Sequence, residues 1–231
     1  MKIVKFINLY HKFLYSINFD KHRNFRQELL KLNKSKVQDL YDYGEGMFYQ
    51  SISIIKLYGL RNSEKRIKKI KLNNYLLNKT VLDIGTNIGA IPISSAKNFK
   101  ECIGIDHNPD VIKIANKVRD YLQIKDLRFI CGDFLELKFQ QKFELILSLA
   151  NHSTFDKGIK DTNKYFKKIY DLLSDNGILI LESHSPLYEN PDSYMEIVKN
   201  LKTNYKIIDS GKYDFGNYYD RNRIFHIMKK I

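Results

Sequence analysis

Residues 80–90, Thr-Val-Leu-Asp-Ile-Gly-Thr-Asn-Ile-Gly-Ala, constrain the fold more than any other stretch. An apolar, β-branched run over 80–86 reaches an acid, turns on glycine and passes at once into a helical pattern over 88–99. Pro92 must sit in the first turn of that helix to be tolerated. The same alternation then repeats. Residues 101–106 read as a strand and 109–122 as an amphipathic helix with Pro109 near its start. Residues 127–132, 143–150 and 177–183 are three more apolar strands, with a helix over 161–174 that stops at Asp175-Asn176-Gly177. Two last strands, 205–213 and 221–230, have no helix between them. Five β-then-α units and a terminal hairpin predict an α/β fold, its seven-stranded sheet mostly parallel with an antiparallel C-terminal hairpin.

The first 79 residues follow a different pattern. Helical periodicity marks 2–17, 22–32, 46–58 and 63–77, the last with Ser63 as N-cap. Two glycines punctuate an aromatic cluster at 41–50. No Pro/Gly/Ser linker follows, so the expectation is an N-terminal helical cap, 1–79, packed on a main domain, 80–231. Charge divides at the same place: residues 1–79 hold 17 Lys and Arg against 6 Asp and Glu, and residues 80–231 hold 22 against 20. A basic cap suits nucleic acid, an anionic membrane surface or a phosphorylated substrate. Lys outnumbers Arg, the better phosphate fork, by 31 to 8, which also fits plain A·T-rich coding bias.

The turn carries the first chemical information. Glycine lets backbone approach a ligand, and a helix N-terminus offers free N–H groups. A dinucleotide pyrophosphate needs G-x-G-x-x-G, whereas this turn reads Asp83-Ile84-Gly85-Thr86-Asn87-Ile88-Gly89. An acid two residues before the first glycine suits a cationic amino acid better than two phosphates. Acids recur at the next two strand ends, Asp106 in Gly-Ile-Asp-His-Asn-Pro and Asp133 in Cys-Gly-Asp-Phe. Ligands bind at these carboxyl ends in open α/β sheets.

In these three motifs the chain resembles the class I S-adenosylmethionine-dependent methyltransferases. The likeness covers residues 80–231 and implies a Rossmann-like sheet and S-adenosyl-L-methionine as cofactor. Asp83, Gly85 and Gly89 match the first motif, with Asn87 in place of the middle glycine, a position Asn tolerates. The resemblance implies that Asp106 binds the ribose hydroxyls, that His107 lies beside adenine and that Asp133 and Phe134 border it. It adds Ser148 after the fourth strand. From the cap, Tyr49 and Gln50 would help cover the cofactor, and Arg66 would clamp the methionine carboxylate.

The acceptor end has fewer signals. Base N-methyltransferases carry Asn/Asp-Pro-Pro-aromatic after the fourth strand, and here the sequence is Ser148-Leu-Ala-Asn-His152-Ser-Thr-Phe-Asp156, without proline. A hydroxyl acceptor must lose a proton during attack, and neutral histidine is the usual base. His152 is the first candidate and His184, in Glu182-Ser183-His184, the second. These four groups, Glu182, His184, His152 and Asp156, offer a divalent-metal alternative without spacing to support it. The Asn-His-Ser and Glu-Ser-His stretches are also similar to methyltransferases encoded with bacterial capsule genes. That resemblance implies O-methylation of a small or carbohydrate-linked acceptor, such as a sugar or a phosphoramidate group; phosphate on the acceptor would be attracted by the basic cap.

Alternatives remain: an RNA methyltransferase docking the backbone on its basic cap, or a cofactor-binding regulator without catalysis. The chain has no run of apolar residues long enough to span a bilayer. Two cysteines, Cys102 and Cys131, in or beside predicted buried strands, form no disulfide framework and suit a reducing cytoplasm.

Overall fold

The computed structural model describes residues 2–17, 19–34, 47–151, 161–186, 189–216 and 220–231. His152, Asp156 and residues 41–46 of the aromatic cluster lie outside them. The N-terminal part contains α1 (Lys2–Ile17), α2 (Arg23–Lys34), β1 (Phe48–Gln50), β2 (Gly59–Arg61), α3 (Ser63–Ile70) and α4 (Leu72–Leu76). Then come β3 (Thr80–Ile84), α5 (Ala90–Ser94), β4 (Glu101–Asp106), α6 (Pro109–Tyr121), β5 (Leu127–Cys131) and β6 (Phe143–Leu149). The chain closes with α7 (Thr162–Leu172), β7 (Leu173–Glu182), α8 (Pro191–Leu201), β8 (Tyr205–Tyr213) and β9 (Arg223–Lys230).

Seven strands form one sheet in the order β5-β4-β3-β6-β7-β9-β8. β3 to β7 run parallel, and β9 lies antiparallel between β7 and β8. Alternate side chains divide between the two faces, as the pleat requires. Val81, Cys102, Leu145, Leu147, Ile180 and Ile227 face a cluster with α5 and α6. Leu82, Ile103, Ile146, Leu179 and Met228 face α7 and α8. The N-terminal elements share the first of these clusters through Tyr15, Leu29, Phe48, Ile55 and Ile70.

Four local expectations fail for identifiable reasons. Residues 46–58 are not a helix: β1 and β2 pair in parallel, Gln50 opposite Arg61, around a 3₁₀ turn at Ser53–Ile55. Gly59 is required there, since a Cβ would lie 2.3 Å from the Gln50 carbonyl carbon. The cap of α3 is Asn62, whose side chain accepts the Lys65 N–H, one residue before the expected Ser63. Only one turn follows β5, with the Glu136 and Leu137 N–H groups donating to the Asp133 carbonyl and the Leu135 N–H to its carboxylate, and it does not continue as a helix. Cys102 is buried as expected, but Cys131, at the end of edge strand β5, is exposed.

Candidate active site

The glycine turn after β3 adopts the backbone its residues allow. Gly85, Asn87 and Gly89 have φ of 70°, 54° and 72°, so Asn87 takes the left-handed conformation required of the middle position. Gly89 caps α5, and a Cβ on it would lie 2.3 Å from the Phe129 ring. Gly85 keeps an exposed backbone at the sheet edge, while a Cβ there would meet Asn151 at 2.9 Å.

Asp83 is 3% exposed and accepts the Thr86 hydroxyl at 2.7 Å. Burial pushes its carboxyl up to about 6, against the Thr86 bond and the nearby Arg66 charge. An acid held this way is partly protonated near neutrality, and a cation beside it would restore the charge. Asp106 ends β4, the next strand. It accepts the Asn87 N–H at 2.9 Å and the Asn108 N–H at 3.0 Å, so it ties the glycine turn to the start of α6. Burial raises its carboxyl despite those bonds. His107 is exposed, its Nδ1 3.7 Å from Asp106. Asp133 follows β5 half-buried, and Phe134 is buried edge-on against Tyr165. Asp83, Asp106 and Asp133 thus come from β3, β4 and β5, three adjacent strands.

On the other side of β3, Ser148 and Asn151 form a buried network that the sequence shows only in part. The Ser148 hydroxyl donates to Asn151 Oδ1 at 2.7 Å and lies 2.9 Å from the Tyr165 hydroxyl, which donates to the same Oδ1 at 3.2 Å. The Asn151 amide donates to the Ile84 carbonyl. Asn151 therefore braces the first residues of the glycine turn from β6 and α7. The participation of Tyr165 was not legible, because α7 carries it in from 14 residues away.

Arg66 requires a correction. Its Nε and Nη2 donate to the two oxygens of Glu182 at 2.8 and 2.7 Å, so its fork is filled by a side chain instead of standing open for a ligand carboxylate. Arg61 joins the same cluster, donating to Asp220 at 2.5 Å and to Glu182 at 3.3 Å. Arg223 donates to the Ser183 carbonyl at 2.7 Å. Burial alone would raise Glu182, but Arg66, Arg61 and Arg223 outweigh it and bring it to about 2. Both Glu182 oxygens hold arginine, which removes it as the carboxylate of the metal alternative. The cluster joins α3 and β2 to the end of β7 and the approach to β9, contacts spanning more than 100 residues.

His184 stands half-buried just past β7, its backbone N–H held by Glu189 at 2.7 Å. Tyr49 is half-buried, with its hydroxyl 3.4 Å from Arg61 Nη1. Gln50 is 6% exposed, and its Oε1 meets no hydrogen-bond donor among the described residues. A buried amide oxygen without a donor is costly and is suited to an incoming ammonium or hydroxyl.

These features fit S-adenosylmethionine: an exposed glycine backbone, acids on three neighbouring strand ends and an orphan acceptor in Gln50. A family described as "Methyltransferase domain" matches residues 77–228. The chain belongs to this family, the class I S-adenosylmethionine-dependent methyltransferases. It is 28% identical over 179 residues to the U6 snRNA methylphosphate capping enzyme Amus of Drosophila melanogaster, covering 65% of this chain and 58% of that one. It is 25% identical over 184 residues to the ubiquinone biosynthesis O-methyltransferase of Pelagibacter ubique, covering 79% and 69%. The chain thus spans less than two thirds of the Drosophila relative. Its fold is similar to N-methyltransferase NodS of Bradyrhizobium japonicum in complex with S-adenosyl-L-homocysteine, with a TM-score of 0.62 and 14% identity. That match covers 91% of this chain and 99% of NodS.

Proposed function

We propose that the chain transfers the methyl group of S-adenosylmethionine to an oxygen of a small or carbohydrate-linked acceptor that carries phosphate. The observation that carries this reading is the row of acids on β3, β4 and β5 beside strand ends β6 and β7 that lead into histidines. When bound, the cofactor supplies an electrophilic methyl whose departing sulfur becomes neutral. The residues then have two tasks, alignment and proton removal. Asp106 holds ribose hydroxyls, with His107, Asp133 and Phe134 around the adenine. Asp83, through the glycine turn, and Gln50 receive the amino-acid end, with Tyr49 and the rest of the 1–79 cap over it. Ser148 keeps the turn in place through Asn151.

His184, or His152 just beyond Asn151, accepts the acceptor's proton. Replacing both with Ala is expected to lower turnover by about 10²–10⁴-fold with cofactor affinity unchanged. Unchanged turnover would remove histidine from the mechanism. The basic surplus of residues 1–79 supports a phosphate-bearing acceptor, and the ubiquinone biosynthesis O-methyltransferase among the relatives supports oxygen. The Asn151-His152-Ser153 and Glu182-Ser183-His184 stretches support a place in capsule or surface glycan synthesis. RNA is the second reading, favoured by the Drosophila relative whose name specifies a small nuclear RNA. Methyl-labelled S-adenosylmethionine, supplied with RNA, protein, nucleotide-sugar and polysaccharide fractions of a cell extract, separates the two. Label in the sugar-containing fractions supports the first; nuclease-sensitive label, with affinity falling steeply in salt, supports the second.

A further inference from the structure

Helix α1 packs with its amphipathic pattern inverted. The side against the protein carries buried His11 and Tyr15 and half-buried Ile7 and Leu14. The Tyr15 hydroxyl donates to the Tyr58 carbonyl at 3.0 Å and accepts the Tyr58 N–H at 2.7 Å, while His11 stacks on the Tyr58 ring. These bonds fix which way the helix faces. Phe6, Leu9, Tyr10, Phe13 and Ile17 consequently point outward, each 51–74% exposed. Their spacing of three, one, three and four residues places them on one stripe about 16 Å long. Phe19, 72% exposed, continues the stripe past the helix end under the guanidinium of Arg23.

A surface helix ordinarily turns such a stripe inward, and an outward one marks an interaction surface. The charge around it selects the occupant. Residues 1–34 contain eight Lys and Arg against Asp20 and Glu28, and no acid lies in α1. Asp20 is engaged by Arg26 and Lys56. A second copy of the chain would bring this basic surface against itself, whereas an anionic lipid surface complements both stripe and charge. We propose that α1 is an interfacial anchor, lying in the plane of an anionic bilayer with its aromatic and aliphatic stripe in the headgroup–acyl boundary. Sixteen residues are too few to cross the hydrocarbon core, so the helix lies flat.

The test uses the full chain and vesicles of phosphatidylcholine with or without about 30% phosphatidylglycerol. The chain should sediment with the anionic vesicles at least about tenfold more strongly than with phosphatidylcholine alone, and less so as salt rises. Phe6→Ser with Phe13→Ser should lower that binding at least about tenfold with the melting temperature unchanged, since both rings are exposed. The sequence has no tryptophan, so Phe13→Trp supplies a single fluorophore. Its emission should shift to the blue only with anionic vesicles. Absence of sedimentation and shift, or equal binding to both vesicle types, overturns the proposal. So does a blue-shifted indole in lipid-free protein together with a dimer that the double serine variant dissociates, because a second copy would then cover the stripe.

Discussion

Replacing Asp83 with Asn should stabilise the ligand-free protein in a pH-dependent way while weakening cofactor binding. The carboxyl moves from its usual 3.8 to about 6 because the fold buries it. The folded state therefore holds the proton more tightly than the unfolded chain does. Below pH 3.8 both states are protonated and nothing is lost. As pH rises toward 6 the unfolded chain ionises first, and native stability falls. At about 1.4 kcal/mol per pH unit, the cost is about 1 kcal/mol at pH 4.5 and about 3 kcal/mol at pH 7.5. Asn keeps the acceptor for Thr86 and carries no charge to desolvate. Any fixed cost of its amide hydrogens is the same at every pH and drops out of the comparison. Urea unfolding of both proteins should show the variant's advantage growing by about 2 kcal/mol between pH 4.5 and 7.5, then levelling off. Over the same range, S-adenosylmethionine affinity should fall at least about tenfold, because the acid that the cationic amino acid favours is gone. A pH-independent difference would refute the burial argument. Unchanged affinity would refute the assignment of Asp83 to the cofactor.

Glu182→Gln should cost about 3–5 kcal/mol at pH 7, because it leaves buried Arg66 without its charge partner and Arg61 with Asp220 alone. The Glu182 carboxyl is held near 2 against a usual 4.5, so its stabilisation is complete above pH 4.5 and is lost as pH falls toward 2. Melting curves from pH 7 to 3 should show the gap between the proteins narrowing below 4.5. Gly89→Ala should cost at least about 2 kcal/mol in urea unfolding, since Ala at a φ of 72° is strained and its Cβ meets Phe129. Phe129→Leu in the same chain should recover the steric part alone. Asn151→Ala strips the Ile84 carbonyl and both the Ser148 and Tyr165 hydroxyls of a partner. A loss of about 2–3 kcal/mol and a raised KM for S-adenosylmethionine are expected, the first read by denaturation and the second by initial rates.

The sheet and the acids at its carboxyl edge were legible because their determinants are local. Asp83, Gly85 and Gly89 belong to one ten-residue stretch, and Asp106 and Asp133 each end an apolar run whose neighbours identify it as a strand. Asn87 was legible for the same reason, since its own side chain tolerates the backbone it adopts. The failures arise where a distant partner decides. Residues 46–58 hold enough apolar side chains for a helix, but Gln50 pairs with Arg61 and Gly59 packs against the Gln50 carbonyl. Arg66 reads in the sequence as a fork for a ligand carboxylate, and nothing local reveals the glutamate 116 positions away that fills it. Arg223 and Asp220, from the opposite end of the chain, gave no local sign that they would meet Arg61 and Glu182.

If the carboxyl edge of β3, β4 and β5 holds S-adenosylmethionine, calorimetric titration with S-adenosyl-L-homocysteine will detect its product there. Wild-type protein should give a one-to-one saturable binding heat. Asp106→Ala should bind about a hundredfold more weakly, while exposed Asp120→Ala should match wild type. Absence of binding to the wild type, or equal affinity in the Asp106 variant, would mean that this edge does not hold the cofactor.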